Sequence, residues 1–435
     1  MNIRFSKYIA GFLLLSSLLG ACKKDSQFKH QAGTAMTIDS FTPSSGGRST
    51  QILINGSNFT ADLSEISVSI NGKNLPVVGV NGNQIMVVVP KKCGSGKLTV
   101  KIGSDVTESS TEFKYFFTNT VTTFAGSGVA GFANGKGEEA QFNFNSPTWY
   151  RSSGIAVDKD LNVYVADPGN ACIRKIDSTG MVSTLAGSPG NTGNVEGQGA
   201  SARFYLPYSL TLDNDANVYV ADVLNWNVRK ITPQGYASWY FGAPAEPWAL
   251  AYDKKNNILY MSCTNAGAIY KSTAAWSYEL ATSGLTYAAG LDVDTDGNLI
   301  VTGHGDHTIF KLTEGSWAKT PIAGQTNSGG YLNGPGASAK FYYPWSLALD
   351  SRNNIYVATN GTTDGLTSAP DQSIRFIDAT SHEVSTFAGS GSAGYLNGIG
   401  EAAAFSAPTG VCVDKNGTVY VMDKNNNRIR KIVSE

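Results

Sequence analysis

Short apolar runs that alternate with polar residues recur along almost the whole chain, and they predict β-strands. In the first part of the chain, four runs rich in β-branched residues have this pattern, at residues 52–54, 66–70, 85–89 and 98–102. The Asn-Gly pairs at 71–72 and 81–82 are typical of the tight turns that join the strands of a hairpin. This spacing, over about 80 residues, predicts an immunoglobulin-like sandwich of two antiparallel sheets.

Particular residues of this segment resemble the IPT/TIG domain family. They are the run from Ile38 to Gly47, the run from Ile54 to Phe59, and Val89-Pro90. The resemblance assigns residues 35–117 to an immunoglobulin-like IPT/TIG domain. In that family the domain often acts as a spacer or an interaction module, and we expect it to serve here as a stalk.

A second pattern occurs six times in the remainder of the chain. Each copy has an apolar run that ends in aspartate, a second run such as residues 162–167, and in most copies a third such as residues 173–176. The aspartates that end the first run are Asp158, Asp213, Asp253, Asp294, Asp350 and Asp414. With a fourth run such as residues 182–187, each unit has four short strands in roughly 40 residues or more, which is typical of a propeller blade. The pattern resembles NHL repeats, so residues 118–435 are expected to form a six-bladed NHL β-propeller, and the whole chain is expected to be all-β.

The ends of the repeat array predict how the ring closes. The sixth copy stops after its third strand, whereas residues 121–126 precede the first copy and nearly repeat residues 384–389. The first strand of this segment is therefore expected to complete the last blade, which would leave no open sheet edge.

Three blades depart from the pattern at the end of the second strand. Cys263, Gly303 and Thr359 stand where the other blades have aspartate. Blades 3 to 5 are therefore expected to lack one carboxylate that caps a turn.

The N-terminus has the pattern of a targeting signal. Arg4 and Lys7 precede an apolar run, residues 8–19, that is too short to cross a bilayer. Residues 19–22, Leu-Gly-Ala-Cys, resemble the lipobox of bacterial lipoproteins. This resemblance implies a signal peptide at 1–21, lipidation of Cys22, and a polar tether at 22–34.

The residues after Cys22 refine the expected location. Lys23-Lys24-Asp25 resembles the surface-export signal of lipoproteins in Bacteroides-type bacteria. The resemblance implies an outer-membrane protein that is exposed at the cell surface, with its lipid as its membrane attachment.

Composition narrows the function classes. The 435 residues include 33 Lys and Arg and 34 Asp and Glu, so the net charge of −1 argues against a nucleic-acid partner. An apolar content of 41% argues against disorder. There are four histidines, and Cys93, Cys172, Cys263 and Cys412 have no metal-binding spacing. We therefore expect no metal, no cofactor and no obligatory disulfide.

Aromatic residues precede the predicted inner strand in five of the six blades. They are Trp149, Tyr150, Tyr208, Trp248, Tyr287 and Trp345. Loops that enter the blades share one face with the loops between second and third strands, so these rings are expected around the mouth of the central channel. Flat, rigid rings suit the C–H faces of sugars. The alternative, that such rings wedge between blades, stays open.

Further residues on the same loops are candidate polar or flanking contacts for a ligand. They are Asn170, Arg203, Asn225, Trp226, His304, Asp306, His307, Lys340 and Asn425. Within this set, His304, Asp306 and His307 also resemble a catalytic or zinc-binding group. Their spacing on a glycine loop fixes no geometry, so ligand contact or surface hydrogen bonding is preferred for them.

Three functions are compatible with these patterns. The resemblance to IPT/TIG–NHL lipoproteins of Bacteroides-type cells implies a non-catalytic, surface glycan-binding protein of a polysaccharide-uptake system. Its partners would be a polysaccharide or oligosaccharide, a TonB-dependent transporter and other surface lipoproteins. The alternatives are a propeller enzyme, either a polysaccharide lyase or a lactone hydrolase, and a protein-interaction scaffold.

Overall fold

The computed structural model describes residues 28–146, 151–361 and 370–435, and nearly all of their regular structure is β-strand. The chain divides into two compact units, one up to Phe117 and one from Thr118 to the end. The described residues contain no helix that is long and apolar enough to cross a membrane. The predicted signal peptide and Cys22 lie outside the described residues and stay predictions.

The first unit is a sandwich of two sheets. In spatial order, one sheet contains Thr37–Thr42, Gln51–Ser57, Gln84–Val88 and Val77–Val80, and the other contains Ser45–Gly46, Asp105–Tyr115, Gly96–Ile102, Ile66–Ile70 and Lys73–Leu75. Alternate side chains of the strands point inward, as in Ile66–Ile70, where Ile66, Val68 and Ile70 are buried. Both sheets contribute to one apolar core. The predicted immunoglobulin-like sandwich is confirmed.

The second unit is a ring of six antiparallel sheets, the blades. Inner strands of consecutive blades contact each other, and blade 6 contacts blade 1 in the same way. From the axis outward, the strands are Ile155–Val157, Val163–Asp167, Cys172–Ile176 and Met181–Gly187 in blade 1; Pro207–Leu212, Val218–Asp222, Asn227–Ile231 and Tyr236–Gly242 in blade 2; Leu250–Asp253, Ile258–Cys263, Ala268–Ser272 and Glu279–Thr282 in blade 3; Ala288–Val293, Leu299–Gly303, Thr308–Leu312 and Lys319–Ala323 in blade 4; Pro344–Leu349, Ile355–Asn360, Gln372–Ile377 and Glu383–Gly391 in blade 5; and Pro408–Val413, Val419–Asp423, Arg428–Ser434 and Asn119–Ala125 in blade 6. The six-bladed propeller is confirmed.

The ring closes through the first strand of the unit. Asn119–Ala125 pairs antiparallel with Arg428–Ser434, with Val121 opposite Ile432. Two backbone hydrogen bonds between Thr118 and Glu435, of 2.9 and 3.0 Å, extend the pairing to the end of the chain. The predicted closure is confirmed, and the last blade has no unpaired strand edge where the chain ends.

The loops that enter the blades differ in length, and this makes the ring asymmetric. Blades 1, 2, 5 and 6 are entered by long loops, each of which adds a fifth, two-residue strand to its blade: Gly135–Lys136, Gly197–Gln198, Gly334–Pro335 and Gly398–Ile399. Short 3-10 turns at Gly137–Glu139, Gly199–Ser201 and Gly400–Ala402 follow three of them. Blades 3 and 4 are entered by short segments, residues 243–249 and 283–287, that add no such strand.

Each long loop is held by a buried arginine from the third strand of its blade. These arginines are Arg174, Arg229, Arg375 and Arg430. In blade 6, Nη1 and Nη2 of Arg430 donate to the loop carbonyls of Ala404 and Leu396, at 3.0 and 2.9 Å. The guanidinium also lies over the ring of Phe405, 5.2 Å from its centroid. Tyr270 and Phe310 occupy the equivalent positions in blades 3 and 4, which have no long loop to hold.

In three of the four blades, the arginine also forms an ion pair with a buried carboxylate. Asp423 pairs with Arg430 at 2.8 Å and Asp167 pairs with Arg174 at 2.9 Å. In blade 5, Thr359 replaces this aspartate, but Asp371 lies at the start of the third strand and pairs with Arg375 at 3.1 Å. The expectation that blade 5 lacks the carboxylate is therefore wrong, because a residue twelve positions later in the sequence supplies it from the neighbouring strand.

Candidate functional site

Three of the aromatic residues that were predicted around the channel mouth pack together on the propeller axis, and this cluster is here called the plug. Tyr208, Trp248 and Trp345 are 0, 7 and 3% exposed. The rings of Tyr208 and Trp248 lie 5.4 Å apart, and those of Trp248 and Trp345 lie 5.9 Å apart. Blades 3 and 5 are not neighbours, so the second contact crosses the axis. The expectation that these rings are exposed is wrong: they pack on one another and close this end of the channel.

A β-bulge explains why the side chains of Tyr208 and Trp345 point to the axis. In blade 2 the pairing shifts between Pro207 and Ser209, so Tyr208 is the extra residue of the bulge, and Trp345 has the same place in blade 5. A bulge redirects the side chain of the extra residue. The corresponding residues of blades 4 and 6 are the small Ala289 and Thr409. Large and small side chains thus share a space that could not hold six aromatic rings.

Tyr287 differs from the plug residues because it lies two positions earlier in the blade. Ala288, the next residue, pairs with Gly303 as Pro344 pairs with Thr359. Tyr287 therefore corresponds to Tyr343 and not to Trp345. Its side chain is 52% exposed, and its ring lies beside Gly305, where an added Cβ would be 3.1 Å from Cδ2 of Tyr287. Tyr287 belongs to the face that carries the entry loops, here called the loop face.

Trp226 is a second exposed ring on the loop face. It is 51% exposed and follows the 3-10 turn Val223–Asn225 between the second and third strands of blade 2. Its φ angle of 53° is left-handed. Such backbone favours glycine and costs a residue with a Cβ roughly 1 kcal/mol or more. Its carbonyl accepts a hydrogen bond of 2.7 Å from Ala243, in the short segment that enters blade 3.

The equivalent turns show what this position requires. The turns Pro168–Asn170, Thr264–Ala266 and Lys424–Asn426 are followed by Ala171, Gly267 and Asn427, all left-handed. Small residues or asparagine therefore satisfy the turn. The bulk of an exposed indole at Trp226 is not needed for it.

Sequence reasoning missed one exposed ring of the same face. Tyr205 is exposed and lies two residues before Pro207, the same offset that separates Tyr342 from Pro344. In the sequence, Tyr205 could have been identified by this repeated distance of two residues between a tyrosine and the proline that begins the inner strand. Tyr205, Trp226 and Tyr287 thus belong to blades 2 and 4, on either side of the short entry into blade 3.

The three groups predicted as a possible catalytic cluster each have their own polar partners, although the rings of His304 and His307 both pack against Tyr343. The buried ring of His304 lies 4.4 Å from that of Trp345, and burial together with the positive charge of Arg151 lowers the pKa of His304 to about 3. His307 is half-buried, and its Nδ1 accepts a 3.3 Å hydrogen bond from the backbone of Tyr343. Asp306 pairs with Lys319 at 3.7 Å. His304 is thus a neutral, buried part of the plug region, and its contact with a ligand stays a prediction.

The remaining polar candidates fall into structural and exposed groups. The side-chain amide of Asn170 donates to Gly131 and Asp167, both at 2.9 Å, and Asn225 makes the equivalent bonds to Gly193 and Asp222. These two amides hold the long loops, which gives both residues a structural role.

Arg203, Lys340 and Asn425 lie elsewhere on the long loops and turns. The guanidinium of Arg203 donates to the backbone carbonyls of Ala200 and Ala202. Lys340 is half-buried, and Asn425 is exposed. Trp149 and Tyr150 lie outside the described residues, so their roles stay predictions.

Beyond the plug, the channel widens into a second region, here called the axial cavity. It has a volume of about 520 Å³ and is lined by the inner strands of all six blades, up to the turns that join first and second strands. Ser153, Ser209 and Ser346 line it near the plug, and Lys254 and Asp350 line it near the turns. Because the inner strands run away from the loop face, the cavity lies on the opposite side of the plug. Among the described residues, no group of three or more His, Cys, Asp or Glu side chains converges as metal ligands would.

Comparisons with protein families support both parts of the fold. Residues 36–115 match the IPT/TIG domain family, and residues 405–432 match the NHL repeat family. The chain is 26% identical over 331 residues to the protein SUPPRESSOR OF QUENCHING 1, chloroplastic, of Arabidopsis thaliana, covering 72% of this chain and 27% of that protein. It is 27% identical over 315 residues to NHL repeat-containing protein 2 of Bos taurus, covering 67% of this chain and 39% of that protein. The chain thus spans well under half the length of these relatives.

Solved structures with the same fold come from Bacteroides. A protein of unknown function from Bacteroides thetaiotaomicron superposes with a TM-score of 0.64 at 19% identity, covering 94% of this chain and 100% of the other. A protein named as an auxiliary nutrient binding protein from the same organism superposes with a TM-score of 0.57 at 20% identity, covering 94% and 99%. At these identities the likeness establishes the fold. The chain is an all-β protein in which an IPT/TIG domain is followed by a six-bladed β-propeller with an NHL repeat.

Proposed function

We propose that this chain is a non-catalytic binding protein whose propeller binds a glycan at the loop face, through Trp226, Tyr287 and Tyr205. The observation that carries the proposal is Trp226, an exposed indole on left-handed backbone where the equivalent turns of blades 1, 3 and 6 have alanine, glycine or asparagine and that of blade 4 has His307. Trp276 has the same combination of exposure and left-handed backbone, so what distinguishes Trp226 is its place on the loop face, beside the short entry into blade 3. The short entries into blades 3 and 4 leave the surface beside these rings free of the long loops.

The chemistry of the three rings favours a sugar over other ligands. Exposed aromatic rings with polar edges stack against the C–H faces of sugars, and neighbouring hydroxyl and amide groups satisfy the sugar hydroxyls. If each ring covers on the order of 60 Å², three rings contribute about 4–5 kcal/mol at about 25 cal/mol/Å². After the cost of association this corresponds to about millimolar to micromolar affinity for one site. Many lipid-anchored copies on one polymer would bind more tightly through avidity.

The biological setting is part of the same proposal. Structural neighbours named as auxiliary nutrient binding proteins, from Bacteroides thetaiotaomicron and Bacteroides ovatus, support a binding role. We place this chain at the outer membrane, attached through a lipid at Cys22 and facing outward. There it would present a polysaccharide to a TonB-dependent transporter and to other surface lipoproteins.

Native affinity gels that contain polysaccharides test the glycan site. A panel of soluble plant, fungal and bacterial polysaccharides should include at least one that retards the full chain. Trp226→Ala and Tyr287→Ala are each expected to weaken the affinity for that polysaccharide about tenfold, because each removes a stacking surface whose loss costs roughly 1.4 kcal/mol. Trp276→Ala is the matched control, since this indole is 72% exposed but follows the third strand of blade 3, away from the loop face.

Two outcomes would contradict the proposal. The absence of retardation by every polysaccharide would remove the glycan assignment. Retardation that is unchanged in the Trp226 and Tyr287 variants but lost in the Trp276 variant would move the site to the outer side of blades 2 and 3.

A further inference from the structure

One position in the inner strands departs from the symmetry of the ring. It is the residue that faces the second strand's aromatic residue, and it is small or uncharged in five blades: Ala156, Thr211, Ala251, Ala348 and Cys412. Each of these residues pairs with a tyrosine of the second strand. In blade 4 the pair is instead Asp292 and Ile300. Both members of the pair therefore differ in the same blade.

Asp292 lines the axial cavity and has two backbone donors but no cationic partner. Its Oδ2 accepts a 2.9 Å hydrogen bond from Leu349, on the inner strand of blade 5, and its Oδ1 accepts a 2.8 Å bond from Val293. Among the described residues, no lysine, arginine or histidine forms an ion pair with it. Lys254, which also lines the cavity, acts on it only from a longer distance.

The carboxyl group carries an uncompensated charge at neutral pH. Burial raises the pKa of Asp292 to about 6, against the opposing effect of its two backbone hydrogen bonds. At pH 7 most of the molecules therefore hold a carboxylate in a confined space without a counter-ion. Such a charge is costly, and a bound cation would relieve the cost.

The rest of the cavity decides which kind of cation fits. Calcium, magnesium and zinc take several oxygen, nitrogen or sulfur ligands, and the described residues offer no group of three such acidic, histidine or cysteine side chains. An ammonium group needs one carboxylate and a few hydroxyl or carbonyl acceptors. The cavity is also bordered by a leucine belt, namely Leu210, Leu250, Leu291, Leu347 and Val411, whose side chains are only 3–6% exposed because they pack mainly between the blades. Its volume of about 520 Å³ is within the usual range for small-molecule sites.

We propose that the axial cavity binds a small aliphatic amine, with its ammonium group on Asp292 and its alkyl part against the leucine belt. Near the turns the cavity is lined by charges of both signs, Lys254 and Lys255 with Asp253, Asp294 and Asp350, so Asp292 is the one charged group among the described inner-strand side chains that face its middle. This site is independent of the glycan site, because the plug separates the two ends of the channel.

Titration calorimetry with hexylammonium chloride tests the site on the full chain. The wild type is expected to bind one hexylammonium ion per chain in a saturable way, whereas 1-hexanol, which has the same alkyl part without the charge, should bind at least tenfold more weakly. Asp292→Asn is expected to lose at least tenfold in affinity for hexylammonium. The asparagine keeps an acceptor for the Leu349 amide, so its thermal unfolding reports whether the fold is retained. Thr211→Val, at the equivalent position of blade 2, is the matched control and should bind as the wild type does.

A pH series separates a charge contact from a structural effect. The titratable groups that line the cavity are Tyr252, Asp253, Lys254, Lys255, Asp292, Asp294, Asp350 and Cys412. Protonation of Asp292 is expected to weaken hexylammonium binding at least threefold between pH 7 and pH 5, and Asp292→Asn should remove this dependence. The proposal is overturned by equal affinity in the wild type and Asp292→Asn, or by the absence of saturable binding up to about 100 mM. Neither outcome bears on the gel assay for the loop face.

Discussion

Replacement of Val121 by aspartate is expected to lower the melting temperature of the propeller by at least about 10 °C. Val121 lies on the strand that completes blade 6, is buried, and packs in one apolar cluster with Phe405 and Ile432. An aspartate there must either bury a charge without a partner or separate the strand from Arg428–Ser434. A buried unpaired charge costs several kcal/mol, and separation opens the ring between its first and last blades.

The neighbouring residue provides the control for this result. Thr122 lies on the same strand, pairs with Lys431, and its side chain is exposed. Thr122→Asp should therefore shift the melting temperature by no more than about 2 °C. Differential scanning calorimetry of the full chain measures both variants. Equal shifts in the two variants would mean that the closing strand does not bear on the stability of the ring.

Removal of the carboxylate of Asp371 is expected to destabilise the propeller by about 3–5 kcal/mol, as much as removal of Asp423. Either substitution by alanine leaves a buried arginine, Arg375 or Arg430, without its carboxylate. It also leaves a backbone amide of the long loop without its acceptor, since Asp371 accepts from Tyr342 at 3.0 Å and Asp423 accepts from Ser406 at 2.7 Å.

A variant with the carboxylate at position 359 instead of position 371 tests more sharply whether Asp371 substitutes for the aspartate of the other blades. Thr359 occupies in blade 5 the position that Asp423 has in blade 6, since they pair with Pro344 and Pro408 respectively. The double variant Thr359→Asp with Asp371→Ala should therefore recover more than half of the stability that Asp371→Ala loses in urea unfolding. Asp378→Ala, which removes a partly exposed turn carboxylate of the same blade that has no arginine to neutralise in the interior, is the control. A loss in Asp371→Ala no larger than in Asp378→Ala, or no recovery in the double variant, would contradict this account.

The fold was predictable because it depends on local patterns that repeat. Alternation over four or five residues defines each strand, and the near-identity of residues 121–126 and 384–389 identifies the closing strand. Such signals need no knowledge of distant contacts. They also indicated which loops share a face, and Trp226 and Tyr287 are indeed exposed there.

The candidate site was predicted only in part, because an offset of two residues decides the environment of a ring. Tyr208 and Trp345 follow the proline that begins the inner strand and face the axis. Tyr287 and Tyr205 precede the start of the inner strand and face outward. In the sequence these positions look alike, since all are aromatic residues just before an apolar run. The bulge that separates them is visible only in the pairing of the strands.

The amino-acid sequence by itself determined the β-class of this protein, the order of its two parts, the number of blades and the strand that closes the ring. Only the tertiary structure decided that three rings plug the axis, that Asp371 replaces the carboxylate missing at Thr359, and that Asp292 opens into a cavity. The physical reason is that side chains from all six blades meet at the propeller axis. Residues from blades that are far apart in the chain share one small space there, and which side chains fill it depends on the size and charge of all six contributors together.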